Sequence, residues 1–294
     1  MDGILVVDKP QGLTSHDVVT LARRALGETR IGHTGTLDPL ATGVLPLAAG
    51  RATRLVQFLM ASEKEYEARI RFGLTTDTYD VTGQEVTRSD ATPQRTAVEA
   101  ALGTLAGEYL QAPPAYSAKK IAGRRAYELA RAAQVVEPTP VMVTVQRLEL
   151  VTFDDITATV RLTCSAGFYV RSLAHTLGAL VGTGACLDAL RRTRSGEFTL
   201  DQAVSVLTLQ TPSGDAVAAM IPMERLLLRM PVVTVTAEGR ARVSHGRELG
   251  PSHVLEPAPG DAEWVRLMSA DGALLAVGAR SARPGSLHPS VVLI

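Results

Sequence analysis

The sequence predicts an α+β fold built on a mixed or antiparallel sheet, and three observations carry that expectation. Residues 66–72 alternate strictly, with Tyr66, Ala68, Ile70 and Phe72 on one side and Glu67, Arg69 and Arg71 on the other. Ile156, Ala158, Val160, Leu162 and Cys164 repeat the pattern, so both stretches read as half-buried strands. Helical spacing appears instead at Val170, Leu173, Ala174, Leu177 and Val181, which puts Arg171 off the apolar stripe. Strands and helices are interspersed without strict βα alternation, and hairpin-like strand pairs recur.

Taken in order, residues 3–7 form a short apolar strand closed by Asp8-Lys9-Pro10 and Gly12. Ser15 stands where a helix N-cap belongs, ahead of Val18, Val19, Leu21 and Ala22. Residues 32–50 hold four glycines and two prolines among short apolar residues, poor material for helix or strand, and read as a structured loop. Loops of that length inside a domain are usually functional. A basic helix is expected around 123–133. Two loop-like stretches, 211–215 and 251–260, interrupt the C-terminal part, and after Pro231 the chain turns to short β runs at 232–236, 263–268, 273–277 and 290–294. A boundary near 228–231 therefore divides a main domain, 1–230, from a small β-rich domain, 231–294. The latter is marginal in size and should pack on the main body.

A chain of 294 residues, 46% hydrophobic and 20% charged, is an ordinary globular composition. No apolar run reaches the ~18 residues that span a bilayer, and Met1-Asp2-Gly3-Ile4 has no signal-peptide character. Cys164 and Cys186 lie too far apart for a zinc ribbon or disulfide framework and read as buried small side chains. A cytoplasmic protein is expected. The net charge is zero, which argues against a general nucleic-acid binder, but local clusters stand out. Lys119, Lys120, Arg124, Arg125 and Arg131 face a single acid, Glu128, across residues 116–131, and Arg191, Arg192 and Arg194 form a second knot. Each is either a phosphate-binding patch or a solvated basic face.

The chemistry concentrates in Gly32-His33-Thr34-Gly35-Thr36-Leu37-Asp38-Pro39-Leu40-Ala41-Thr42-Gly43. This stiff stretch presents one carboxylate, and Pro39 confines Asp38 to extended geometry. An aspartate of ordinary pKa, ~3.9, is ionised at neutral pH and ready as nucleophile or base. The alternative is a turn aspartate that binds local backbone amides.

GHTGTLDPLATGVLP resembles the catalytic signature of TruB-type pseudouridine synthases, and DKPQGLTSHDVV resembles their N-terminal motif. EKEYEARIRFGLTTDTYDVTG, SAKKIAGRRAYELAR, and CSAGFYVRSLAHTLG with GACLDALRRTRSG resemble three further family blocks. The similarity runs in order from about residue 3 to 200. It implies a pseudouridine synthase fold, with a mixed, mainly antiparallel central sheet, flanking helices and an RNA-gripping insertion at about 62–135. The implied activity is isomerisation of uridine 55 in the tRNA T loop by base flipping, with no cofactor or metal and no required protein partner, hence a monomer. No partner-binding extension like that of an RNA-guided relative is visible.

The same resemblance assigns roles. Asp38 is the catalytic carboxylate and Arg171 its ion partner, a pairing that orients such a group and favours its charged form. Tyr66 stacks on the flipped base; read alone, it is a half-buried sheet residue. His33 fills the space left by the extruded nucleotides, Tyr169 accompanies Arg171, and Leu190 lines the pocket. Lys9 and Pro10 support the catalytic loop, with a plain surface lysine as the alternative. Lys120, with Lys119, Arg124 and Arg125, contacts phosphates of the T arm, which positions rather than specifies. Asp77 is either an outer pocket residue or a turn residue. Departures from the family pattern fall at Val141, Ala166, Phe168 and Thr176. Residues 231–294 loosely resemble a PUA domain, an RNA-binding pseudobarrel or a stabilising appendage. Two rival classes compete: a non-catalytic RNA-binding protein, and a glycoside hydrolase, which would need a second carboxylate.

Overall fold

A computed structural model describes residues 1–117, 120–121, 124–125, 139–211, 214–256, 260 and 262–294, with backbone only at 120–121 and 124–125. The first strand, β1 (Gly3–Lys9), is buried at every position except Asp8. It runs into helix α1 (Ser15–Leu26), whose N-cap is Thr14 rather than Ser15. Thr14 and Asp17 exchange side-chain and backbone bonds in a capping box, which frees the buried Ser15 hydroxyl for another task.

The expected long loop at 32–50 is largely strand. β2 (Ile31–His33) and β3 (Thr42–Ala49) leave only residues 34–41 irregular. In β3 every residue after Thr42 is buried. A strand covered on both faces needs short apolar side chains without alternation, and such a run carries no periodic signal. Helix α2 (Val56–Met60), β4 (Lys64–Phe72), the hairpin β5 (Leu74–Thr76) and β6 (Glu85–Arg88), helix α3 (Arg95–Thr104) and β7 (Gly107–Gln111) follow. The helix expected at 123–133 is corrected where it is described: Arg124–Arg125 form β9, paired with β8 (Lys120–Ile121), and the rest of that stretch lies outside the described residues.

β10 (Val141–Asp154) and β11 (Thr157–Cys164) make a hairpin. Ile156 is in its turn and exposed, because Asp154 accepts from the Ile156 and Thr157 N–H groups and ends the ladder there. Helix α4 (Val170–Leu180), β12 (Ala185–Ser195), β13 (Phe198–Thr199), β14 (Val204–Ser205), α5 (Val206–Gln210) and α6 (Asp215–Ala218) complete the main body. Its sheet runs β14-β1-β3-β12-β4-β11-β10-β7, with β13 beside β12 and β2 beside β3. Among the described residues only β1–β14 and β3–β12 pair in parallel within it, so the sheet is mixed and mainly antiparallel.

β1 shows how the C-terminal region attaches. Leu5 and Val7 belong to a core shared with α1 and α4, while Ile4 and Val6 belong to a second core that also holds Leu274, Val277 and Leu293. Burying each such side chain is worth about 1.5–3 kcal/mol, enough for alternate residues of one strand to hold two layers together. The C-terminal sheet, β15 (Val232–Thr234), β16 (Trp264–Met268), β17 (Leu274–Arg280) and β18 (Leu287–Val292), also has its own core with helix α7 (Ala237–Ser244). Among the described residues no helix is long and apolar enough to cross a membrane.

Candidate active site

Asp38 opens a tight turn in the 34–41 loop, closed by the Ala41 N–H on the Asp38 carbonyl at 3.0 Å, with Pro39 at the second position that favours proline. Three neighbours lock this loop. Gly12 donates its N–H to the Pro39 carbonyl at 2.8 Å. The Ser15 hydroxyl accepts from Leu37 N–H at 2.9 Å and donates to the Leu37 carbonyl at 3.0 Å. Arg192 of β12, 1% exposed, donates to the carbonyls of Val44 at 2.7 Å and Gly35 at 3.1 Å. Gly43 permits that approach: at φ +101°, a Cβ there would lie 2.2 Å from the Arg192 carbonyl oxygen.

Lys9 is fully buried behind the loop, which removes its surface alternative. Its ammonium donates to the carbonyls of Pro10 at 2.9 Å and Leu13 at 2.7 Å and so shapes the turn that carries Gly12. Burial pushes its pKa down to about 8, with Arg192 adding to the fall and Asp38 opposing it.

Arg171 is the hub. Its Nε lies 3.0 Å from Asp38 Oδ2 and its Nη1 3.6 Å from Asp80 Oδ2. The same guanidinium donates to the carbonyls of Thr78 at 3.1 Å and Tyr116 at 2.8 Å. Being off the apolar stripe did not leave Arg171 in solvent, because two carbonyls accept its hydrogen bonds and two carboxylates balance its charge in a buried position. Its side chain is 8% exposed, against 44% for Asp38, so the cation is fixed in the wall while the carboxylate opens to the cleft. Asp80 is held in turn by the Thr82 N–H at 3.0 Å and the hydroxyls of Thr78 and Thr82.

The cleft has a volume of about 260 Å³ and is lined by Asp38, Tyr66, Tyr169, Arg171 and Leu190, together with Met60, Lys64, Phe168 and Arg192. Asp38 is the one carboxylate among the described lining residues, whereas glycosidases flank their bond with two. Tyr66 is 9% exposed; burial raises its pKa, with the nearby Arg192 guanidinium opposing the rise. Lys64 spends its ammonium on the carbonyls of Met60 and Ser62, and burial lowers its pKa to about 8. Burial also pushes the Cys164 thiol up to about 12, which makes it a core side chain rather than a nucleophile.

Five of the expected site residues thus meet in one cleft. His33 is half-buried at the end of β2, with Gly35 N–H 3.4 Å from its Nδ1, and is not among the lining residues. Lys120 lies in β8, and its side chain is outside the described residues. The knot at 191–194 is not a free phosphate patch: Arg191 pairs with Asp8 at 2.8 Å, Arg194 with Glu65 at 2.8 Å, and Arg192 is buried. Asp77 is a turn residue that accepts from the Gln84 N–H at 2.7 Å; Asp80 holds the place next to Arg171. Of the four departures, Phe168 lines the cleft, Val141 begins β10, and Ala166 and Thr176 are exposed. Asp80 and the clamping role of Arg192 had no sequence signal, since both act on partners distant in the chain.

The description "TruB family pseudouridylate synthase (N terminal domain)" matches residues 23–170, and "tRNA pseudouridylate synthase B C-terminal domain" matches residues 171–228. The chain is 45% identical to the tRNA pseudouridine synthase B of Solibacter usitatus (strain Ellin6076), over 100% of both chains. It is 42% identical to that of Thermobifida fusca (strain YX), over 99% of this chain and 98% of the relative. Among solved structures, an archaeal box H/ACA sRNP Nop10-Cbf5 complex matches at a TM-score of 0.75 and 26% identity, covering 99% of this chain and 86% of that one. An H/ACA RNP bound to a substrate RNA containing 2'-deoxyuridine matches at 0.76 and 25%, covering 99% and 85%.

Proposed function

This chain belongs to the TruB family of pseudouridylate synthases, and from that premise we propose that it acts at position 55 in the T loop of tRNA, with Asp38 as its catalytic carboxylate. Isomerisation of uridine to pseudouridine in tRNA comes with the family and with relatives that share the whole chain; the position and the residue roles are inferred. In the reaction the N1–C1′ bond breaks, the base turns, and a C5–C1′ bond forms. C5 loses a proton and N1 gains one, so no oxidant or group donor enters the balance.

One observation carries the assignment: a single carboxylate, held by a buried guanidinium, faces a cleft lined by Tyr66, Tyr169 and Leu190. A uridine stacked in the T loop must be turned out to reach it, at a cost of a few kcal/mol. Stacking on Tyr66 returns about 1–3 kcal/mol. Leu190 and Tyr169 complete the walls, Arg171 orients Asp38, and Lys9 holds the turn beneath the loop. His33, beside the cleft, takes the space of the everted nucleotide, and Lys120 grips phosphate. Residues 231–294 form a separate small PUA-like unit, a reading supported by their own sheet and core.

The single chain suffices in this reading, although the structural neighbours stand in complexes. Pure protein and an unmodified tRNA transcript carrying tritium at uridine C5 test it, with pseudouridine mapped afterwards. Release from position 55 without additives is expected. Asp38→Asn should bind the transcript and release nothing; full release by that variant would remove Asp38 from the mechanism.

A further inference from the structure

We infer that Gln111 is a positioning residue of this site, holding the Tyr169 backbone and through it the first turn of α4, which aims Arg171 at Asp38. The inference rests on the function proposed above. Gln111 ends β7, is 4% exposed, and does not line the cleft. Its side chain meets one residue twice: Tyr169 N–H donates to Oε1 at 2.8 Å, and Nε2 donates to the Tyr169 carbonyl at 3.1 Å. A side-chain amide carries both an acceptor oxygen and a donor nitrogen, so one group serves the N–H and the carbonyl of the same residue.

The place of that clamp gives it its effect. Tyr169 is the N-cap of α4, and no side chain of its own caps the helix. Val170, Arg171 and Ser172 form the next turn. Two further bonds fasten the same turn to the segment that follows Gln111: Ser172 Oγ donates to the Ala112 carbonyl at 2.8 Å, and Arg171 Nη2 to the Tyr116 carbonyl at 2.8 Å. The Tyr169 carbonyl also accepts from Leu173 N–H at 3.2 Å, whereas its N–H depends on Gln111. Loss of the amide therefore leaves the Tyr169 N–H without its acceptor and loosens the start of the helix, which then rests on those two bonds, while the rest of α4 keeps its packing against the sheet. Arg171 sits in the loosened turn, and small misplacements of a reacting constellation are costly.

Full-length wild type, Gln111→Ala and Gln111→Glu are compared by tritium release, transcript affinity and thermal midpoint. Gln111→Ala should lose about a hundredfold in kcat with its transcript Kd unchanged. Gln111→Glu keeps the acceptor for Tyr169 N–H but sets a carboxylate against the Tyr169 carbonyl. Its kcat relative to wild type should be low at neutral pH and rise on acidification, as the protonated carboxyl regains a donor. Wild-type kcat in Gln111→Ala, or a defect confined to Kd, overturns the inference. If Gln111→Ala does not fold, Gln111→Glu decides, and a ratio to wild type that does not rise on acidification overturns it. An inactive wild type sinks the functional reading and this inference with it.

Discussion

The cleft beside Asp38 encloses about 260 Å³, and the cavity where Phe58 meets Trp264 encloses about 760 Å³. In the smaller one, Arg171, Arg192 and Lys64 are all buried and aim their donors at named carbonyls or carboxylates. In the larger one, Arg229 and Glu263 are exposed, and Glu197 is occupied with the N–H groups of Leu227 and Leu228 at 2.8 and 3.1 Å. Taking a cation out of water costs several kcal/mol unless its hydrogen bonds are restored. A protein that buries three around one carboxylate has invested in orientation, and preoriented charge rather than empty space is what stabilises a transition state. The larger cavity has one oriented cation among its described lining residues, Arg194, paired with Glu65 at 2.8 Å, and none as deeply buried as the three in the cleft; it is the seam where the C-terminal sheet meets the main body.

Disrupting the cleft should therefore cost far more than disrupting the seam. The largest effect is expected from Arg171→Met. It removes the partner of Asp38 and leaves Asp80, whose side chain is 6% exposed, as a buried charge without its cation. Breaking a buried pair in this way costs about 3–5 kcal/mol of stability, and loss of the oriented contact about a hundred- to a thousandfold in kcat. Urea unfolding and tritium release read the two separately. Unfolding unchanged from wild type would mean that Asp80 is satisfied by Thr78 and Thr82 alone. Arg192→Met comes next. It strips donors from the Val44 and Gly35 carbonyls beneath the loop, at about 1–3 kcal/mol for each acceptor left buried. Its kcat should fall less than that of Arg171→Met, because Arg192 acts on Asp38 only through the loop backbone.

The contrast between these two arginines also shows what was legible in the sequence. Alternation on β4 and β11 and the helical stripe of α4 follow from local periodicity, and the structure has all three. β3 did not announce itself, because burial on both faces erases the alternation that marks a strand. Arg192 read as part of a basic surface knot, since charge counting along the chain cannot see that Val44 and Gly35 lie across the sheet with carbonyls waiting. Ser15 read as a cap for a similar reason: its partner, Leu37, belongs to a loop brought beside it only by folding. Asp38 was legible because its constraint is local, a proline next door and glycines on either side. Asp80 and Gln111 were not, because each owes its position to α4, far along the chain.

The smallest effect is expected at the seam. Trp264 meets Phe58 edge to face, ring centroids 5.1 Å apart at 67°, and such a pair adds about 0.5–1.5 kcal/mol beyond the area it buries. Trp264 is only half-buried, so Trp264→Ala should lose about 1–2 kcal/mol, below the ~3–5 kcal/mol of truncating a fully buried large aromatic. That is a fall of a few degrees in thermal midpoint, at about 2–4 °C per kcal/mol for a chain of this size class. Its kcat should equal that of wild type, since neither ring contacts the groups around Asp38. If tritium release by Trp264→Ala instead dropped as far as in Arg171→Met, the large cavity would have to be counted with the catalytic machinery, and buried charge would no longer separate the two regions.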